Sequence, residues 1–96
     1  MNIAKLLQEK RQQILDIATK HGAHNVRVFG SVVRNEADDK SDIDLLVYLE
    51  PKRSLVDWLQ LMDELETLLG RPVDVVEEDA LKGRMRKRVL DEAVAL

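Results

Sequence analysis

The chain of 96 residues contains no cysteine. That excludes disulfide bridges, zinc–thiolate sites and thiol nucleophiles, and it suits a reducing compartment, so a cytoplasmic location is expected. Aromatic residues are scarce: Phe29, Tyr48 and Trp58 are the whole set. A stacking platform for unpaired bases is therefore not expected. Neither sign of charge prevails, and the net charge is −3. This balance argues against bulk electrostatic capture of nucleic acid, and no direct nucleic-acid binding is expected. The longest apolar run, Leu45 to Leu49, falls far short of the ~20 residues a membrane-spanning helix needs. The first residues, Met1-Asn2-Ile3-Ala4-Lys5, read as the start of an amphipathic helix and not as a signal peptide. Repeats, low-complexity segments and linkers are also missing. A single domain over residues 1–96 is expected.

What is present is a regular alternation of helix and strand signals. Ile3, Leu6, Leu7, Ile14, Ile17 and Ala18 recur at helical spacing and predict one helix of about five turns, ending at Gly22. Asn25 to Phe29 predicts a short alternating strand that stops at Gly30. Ser31 can cap a short helix running to Arg34 or Ala37. Asp38-Asp39-Lys40-Ser41 is a polar loop. Asp42 to Leu49 is the clearest strand, with Ile43, Leu45, Val47 and Leu49 on one face, and Pro51 ends it.

Ser54 and Asp57 resemble a capping box at the head of a second long helix. Its core stripe is expected to be Leu55, Leu59, Met62, Leu65 and Leu69, with Trp58. Gly70 and Pro72 close that helix. Val73 to Val76 predicts a third strand. A last helix from about Gly83 to Val94 would turn Met85, Val89, Leu90 and Ala93 inward. The order α-β-α-β-α-β-α implies an α/β domain with about three strands. Only about a dozen residues join the first two strands, so an antiparallel pair and a mixed sheet are expected.

The chemistry concentrates in residues 30–44 and at one further acid. Asp42 and Asp44, two apart on a strand, leave the same face with Cα atoms roughly 6.5–7 Å apart. Two catalytic magnesium ions sit roughly 3.5–4 Å apart, so such a pair can flank them. Asp74 points opposite to Val73 and Val75, and joins the pair if the third strand lies beside the second. Clustered carboxylates repel one another, and oxygen-only ligation selects magnesium or manganese to relieve that repulsion. Gly30 lets backbone approach a phosphate, Ser31 opens a short helix and adds a hydroxyl, and Arg34 can reach a phosphate oxygen. Ser41 can orient the Asp42 turn. A Gly-Ser turn alone, or an Asp-x-Asp after a loop alone, is usually a solvated turn. The combination in this order is far more specific. The basic run Arg84, Arg86, Lys87 and Arg88 reads first as a solvated face paired with Asp91 and Glu92. His21 and His24 read as surface residues, and Trp58 and Tyr48 as core.

Gly30-Ser31 followed ten residues later by Asp42-Ile43-Asp44 resembles the signature of the DNA-polymerase-beta-like nucleotidyltransferases. The longer run Gly30 to Ala37 and Ser41 to Val47, with Val73-Asp74-Val75, resembles the minimal nucleotidyltransferase (MNT) domains, over nearly the whole chain. The resemblance implies a mixed sheet flanked by helices and magnesium-dependent transfer of AMP from ATP, with two Mg2+ ions. It also implies an antitoxin role in a hetero-oligomer with a HEPN-domain ribonuclease toxin, one of whose tyrosines is AMPylated. Carried over by position, Asp42 and Asp44 would be metal ligands and Asp74 the third acid or general base. Gly30, Ser31 and Arg34 would hold the triphosphate. Asn35 departs from the glycine common there, and asparagine tolerates the same left-handed backbone. Two rivals remain at this level: neutralisation of the toxin by binding alone, and nucleotidyl transfer to a small molecule or an RNA end.

Overall fold

Alternation of apolar and polar residues predicts three strands, and all three form and share one sheet. The structure is a computed structural model that describes residues 3–38 and 41–96. Its elements in chain order are α1 (Ile3–Glu9), α2 (Arg11–Lys20), β1 (Ala23–Phe29), β2 (Ile43–Leu49), α3 (Leu55–Leu69), β3 (Val73–Glu77), α4 (Gly83–Glu92) and β4 (Val94–Ala95). Single 3-10 turns, Gly30–Val32 and Glu78–Ala80, follow β1 and β3. Asp39 and Lys40 of the polar loop, and Met1 and Asn2 of the first expected helix, lie outside the described residues.

The sheet order is β3-β2-β1-β4. β1 runs antiparallel to both β2 and β4, while β2 and β3 are parallel. The mixed sheet follows from the connections. Thirteen residues without a long helix return the chain beside β1, whereas α3 supplies the crossover that a parallel pair requires. Asn25, with φ +54°, sits where the β1–β2 register shifts between His24 and Arg27, the mark of a bulge.

Each sheet face has its own cover. Val26, Val28, Ile43, Leu45, Val47, Leu49, Val73 and Val75 pack with Ile3, Leu7, Ile14 and Ala18 of α1–α2 and with Leu61, Leu65 and Leu69 of α3. On the opposite face Leu46 packs with Leu81 and Val89, against which Phe29, Val76, Leu90 and Ala93 lie half-buried. α4 covers only part of that face, which leaves the ends of β2 and β3 that bear Asp44 and Asp74 uncapped.

Four expectations need correction. The first helix bends at Lys10, which leaves helical dihedrals at φ −100° and ψ 7° while backbone bonds to Leu6 and from Ile14 continue through it. The core stripe of α3 is Leu61, Leu65 and Leu69, whereas Leu55 and Leu59 are 68% and 47% exposed. Steps of about 100° per residue place Leu59 nearly opposite the line through Leu61 and Leu65. α4 ends at Glu92, Met85 is exposed, and Val94 starts a fourth strand on β1. His21 is buried and pairs with Glu64 of α3, which also takes Lys20 at 2.8 Å. His24 is exposed as expected, and Tyr48 and Trp58 are half-buried.

Other local signals read true. Ser54 and Asp57 form a reciprocal capping box, and Gly70 ends α3 at φ +70°. β3 is an edge strand, and two of its outward backbone groups are engaged by α3. The Val73 N–H donates to Glu66 Oε2 at 3.0 Å, and Trp58 Nε1 donates to the Val75 carbonyl at 2.9 Å. The corrected face of α3 is testable by urea denaturation. Leu65→Ala should cost about 2–5 kcal/mol, and Leu59→Ala less than about 0.5 kcal/mol. Equal losses would refute this helix orientation.

Candidate active site

Strand register brings the candidate residues together. Phe29 pairs with Asp44 across the β1–β2 ladder, and Asp44 pairs with Asp74 across β2–β3. Adjacent strands lie about 4.8 Å apart, so Gly30, Asp44 and Asp74 stand side by side at one end of three neighbouring strands. Asp44 and Asp74 share the face that carries Leu46 and Val76, opposite the α1–α3 core. Asp42 lies just before β2, exposed, and adds its charge to that of Asp74 around Asp44.

Gly30 is tied to Asp44 by sterics. Its φ is +79°, and a Cβ built there would stand 2.2 Å from Asp44 Oδ2. A side chain there would push the Asp44 carboxylate out of its place, and the left-handed backbone independently disfavours one. After Gly30 the chain makes one 3-10 turn and not the expected helix through Arg34 or Ala37. The amides of Arg34, Asn35 and Glu36 bond back to the carbonyls of Gly30, Val32 and Ser31. Asn35 adopts φ +59°, the left-handed conformation for which a glycine would otherwise serve.

Two donors of the turn are the Gly30 amide and the Arg34 side chain. Both are engaged by a residue that sequence reasoning assigned elsewhere. Glu92, at the end of α4, accepts the Gly30 N–H at 3.0 Å through Oε2 and the Arg34 guanidinium at 2.7 Å through Oε1. Arg34 also reaches Glu36 at 3.1 Å. Hydrogen bonds from Arg34, and then from the Gly30 amide, hold the Glu92 carboxyl below the usual carboxylate range, and those to Glu92 and Glu36 raise Arg34 above its own. The expected pairing of Glu92 with the basic run of α4 is thus replaced. Arg84, Lys87 and Arg88 are exposed, while Arg86 donates to the Glu78 carbonyl at 2.9 Å. Ser41 bonds with Asp38 and not with the cradle: its hydroxyl accepts the Asp38 N–H at 2.9 Å. Ser31 is half-buried within the turn.

Asp44 carries the electrostatic stress of the site. Burial raises its pKa above the ordinary value, and the charges of Asp74, Asp42 and Glu92 add to that rise, with Arg34 opposing. The oxygen-only donor set suits a hard divalent cation. Among the described residues no three acidic or imidazole groups converge into a ready cage. Magnesium commonly takes one or two carboxylates and completes its shell with water and substrate phosphates, so Asp42 and Asp44 fit as partial ligands. Beside Asp74 lies a groove of about 470 Å³ whose apolar wall includes Leu55, Trp58, Val75, Val76 and Ala80. No helix among the described residues is long and apolar enough to cross a membrane.

The class these features indicate agrees with comparison to known proteins. Residues 12–96 match the family described as polymerase beta, nucleotidyltransferase, and the chain belongs to that family of nucleotidyltransferases. It is 39% identical over 97 residues to the protein adenylyltransferase MntA of Thermococcus cleftensis, covering 96% of this chain and 98% of the relative. A protein of Methanocaldococcus jannaschii, provisionally named a protein adenylyltransferase, is 40% identical over 92% of this chain and 95% of its own length. A solved structure provisionally described as a minimal nucleotidyltransferase superposes with TM-score 0.89 at 47% identity, covering 100% of this chain and 97% of the other. A toxin–antitoxin crystal structure with AMP-PNP shares the fold at TM-score 0.75 and 19% identity, covering 88% of this chain and 69% of that one.

The stress on Asp44 has a sign that can be measured. Ionised Asp44 is disfavoured by the fold, so Asp44→Asn should raise the melting temperature of the metal-free protein at neutral pH. The gain should shrink as pH falls, because wild-type Asp44 takes up a proton on passing its raised folded value. Thermal melts of both proteins across acidic and neutral pH check this. A lower melting temperature for the variant at neutral pH would refute it.

Proposed function

We propose that residues 1–96 form one minimal nucleotidyltransferase domain that transfers AMP from ATP to a tyrosine hydroxyl of a HEPN-domain ribonuclease toxin, and so acts as its antitoxin. The observation that carries the chemistry is the side-by-side placement of Gly30, Asp44 and Asp74 across three strands. Support for a protein acceptor comes from the relative named protein adenylyltransferase MntA. Support for a toxin partner comes from the toxin–antitoxin structure that shares the fold.

In this reading the Gly30 amide, Ser31 and Arg34 hold oxygens of the triphosphate, and Ser41 steadies the turn into Asp42. Asp42 and Asp44, with Asp74 as the third acid, hold magnesium, two ions by the family pattern. Bound magnesium would neutralise charge on the α-phosphate and the departing pyrophosphate. Asp74 accepts the proton of the incoming hydroxyl. The hydroxyl oxygen bonds to the α-phosphorus while the bond to the bridging oxygen breaks, and pyrophosphate leaves. The groove beside Asp74 gives the acceptor a route to that carboxylate.

The test is transfer of label from ATP labelled at the α-phosphate to purified toxin, with magnesium present. Wild type should label the toxin, Asp44→Asn should lower the rate at least about 100-fold, and Tyr→Phe at the acceptor should abolish labelling. Absence of transfer by wild type would reject catalysis. Full protection of cells by an Asp42→Asn/Asp44→Asn variant would favour neutralisation by binding alone.

A further inference from the structure

A carboxylate already sits where the reading above puts a phosphate. Glu92 engages the Gly30 amide with one oxygen and Arg34 with the other, at 3.0 and 2.7 Å. The arrangement spans one backbone donor and one guanidinium, which is how a protein grips two oxygens of a phosphate. The side chain of Glu92 is only 18% exposed, against 47% for Arg34. It reaches the turn from the last residue of α4, 62 positions away in sequence. Arg34 has a second acid, Glu36, at 3.1 Å, so it does not need Glu92 for charge balance.

We infer that Glu92 is a resident anion that fills the phosphate cradle of the free protein and must leave when nucleotide binds. This rests on Gly30 and Arg34 being the phosphate-binding groups. Glu92 thereby sets both affinity and selectivity. One carboxylate, tethered by α4, competes with every incoming anion. A polyphosphate can out-compete it by presenting several charges to the same donors, while a monophosphate cannot. Release has a destination, since exposed Arg88 lies one turn back on the same helix, at the i,i+4 spacing of a helix-surface ion pair. The residue acts on substrate binding through the cradle and is not a catalytic group.

The experiment is calorimetric titration of wild type, Glu92→Gln and Arg34→Ala with ATP and with inorganic pyrophosphate, without added metal. Glu92→Gln keeps the side-chain shape and removes its charge. It should bind both ligands about 2–5-fold more tightly, the weight of a partly exposed charged pair. Arg34→Ala should weaken binding. In the free variant the Gly30 amide should also exchange with solvent faster than in wild type, and the two should match once ATP is bound. Equal or weaker binding by Glu92→Gln, with wild type binding and Arg34→Ala impaired, would overturn the inference and leave the cradle intact. Binding by neither wild type nor Glu92→Gln would overturn both. Circular dichroism and a cooperative melt confirm that each variant is folded.

Discussion

The site turns on a single close approach, the Asp44 carboxylate against the α-carbon of Gly30. A side chain at residue 30 would collide with it, so the two residues have to be chosen together. Register does the rest. Antiparallel pairing sets the end of β1 opposite Asp44, and parallel pairing sets Asp74 on its other side. Both acids depend on the two faces of the sheet being covered differently. The α1–α3 face is closed by aliphatic packing, while α4 covers only part of the other face and leaves Asp44 half-buried and Asp74 exposed.

Much of this was legible because it is local. Period-two alternation marked the strands, Ser54 and Asp57 marked the head of α3, and Gly70 its end. Asp44 and Asp74 could be matched because strand alternation and a parallel crossover leave few other arrangements. The parts that could not be read depend on distant partners. Glu92 looked like a helix-surface acid among arginines. Its true partners, Gly30 and Arg34, lie in a turn that joins α4 only when the sheet has formed. His21 looked exposed beside a glycine, and only the packing of α2 on α3 brings Glu64 to it. Leu59 was misplaced because α3 is apolar over more than one face, so spacing alone did not choose the buried one. β4 has two residues, too short to carry a pattern.

Charge at the site is arranged as a graded set. Asp44 is held in unfavourable surroundings, with burial and three acids disfavouring its ionised form. Glu92, a short way off, sits in favourable ones, satisfied by an amide and a guanidinium. A cation would improve the first environment and a phosphate would contest the second. A metal–polyphosphate substrate brings both charges at once, which suits the site better than either component alone.

The sealing of β3 has a consequence for how the molecule meets its own copies. An open sheet edge is a template for another chain's backbone, and exposed edges are where β proteins commonly cross-associate. Glu66 and Trp58 occupy the outward amide of Val73 and the outward carbonyl of Val75. The opposite edge, β4, offers two residues. Ribbon-like stacking of copies through the sheet is thus hindered on the β3 side by two occupied backbone groups and on the β4 side by the shortness of the strand. These contacts weigh against main-chain ladders and in favour of side-chain surfaces, which discriminate between partners far better.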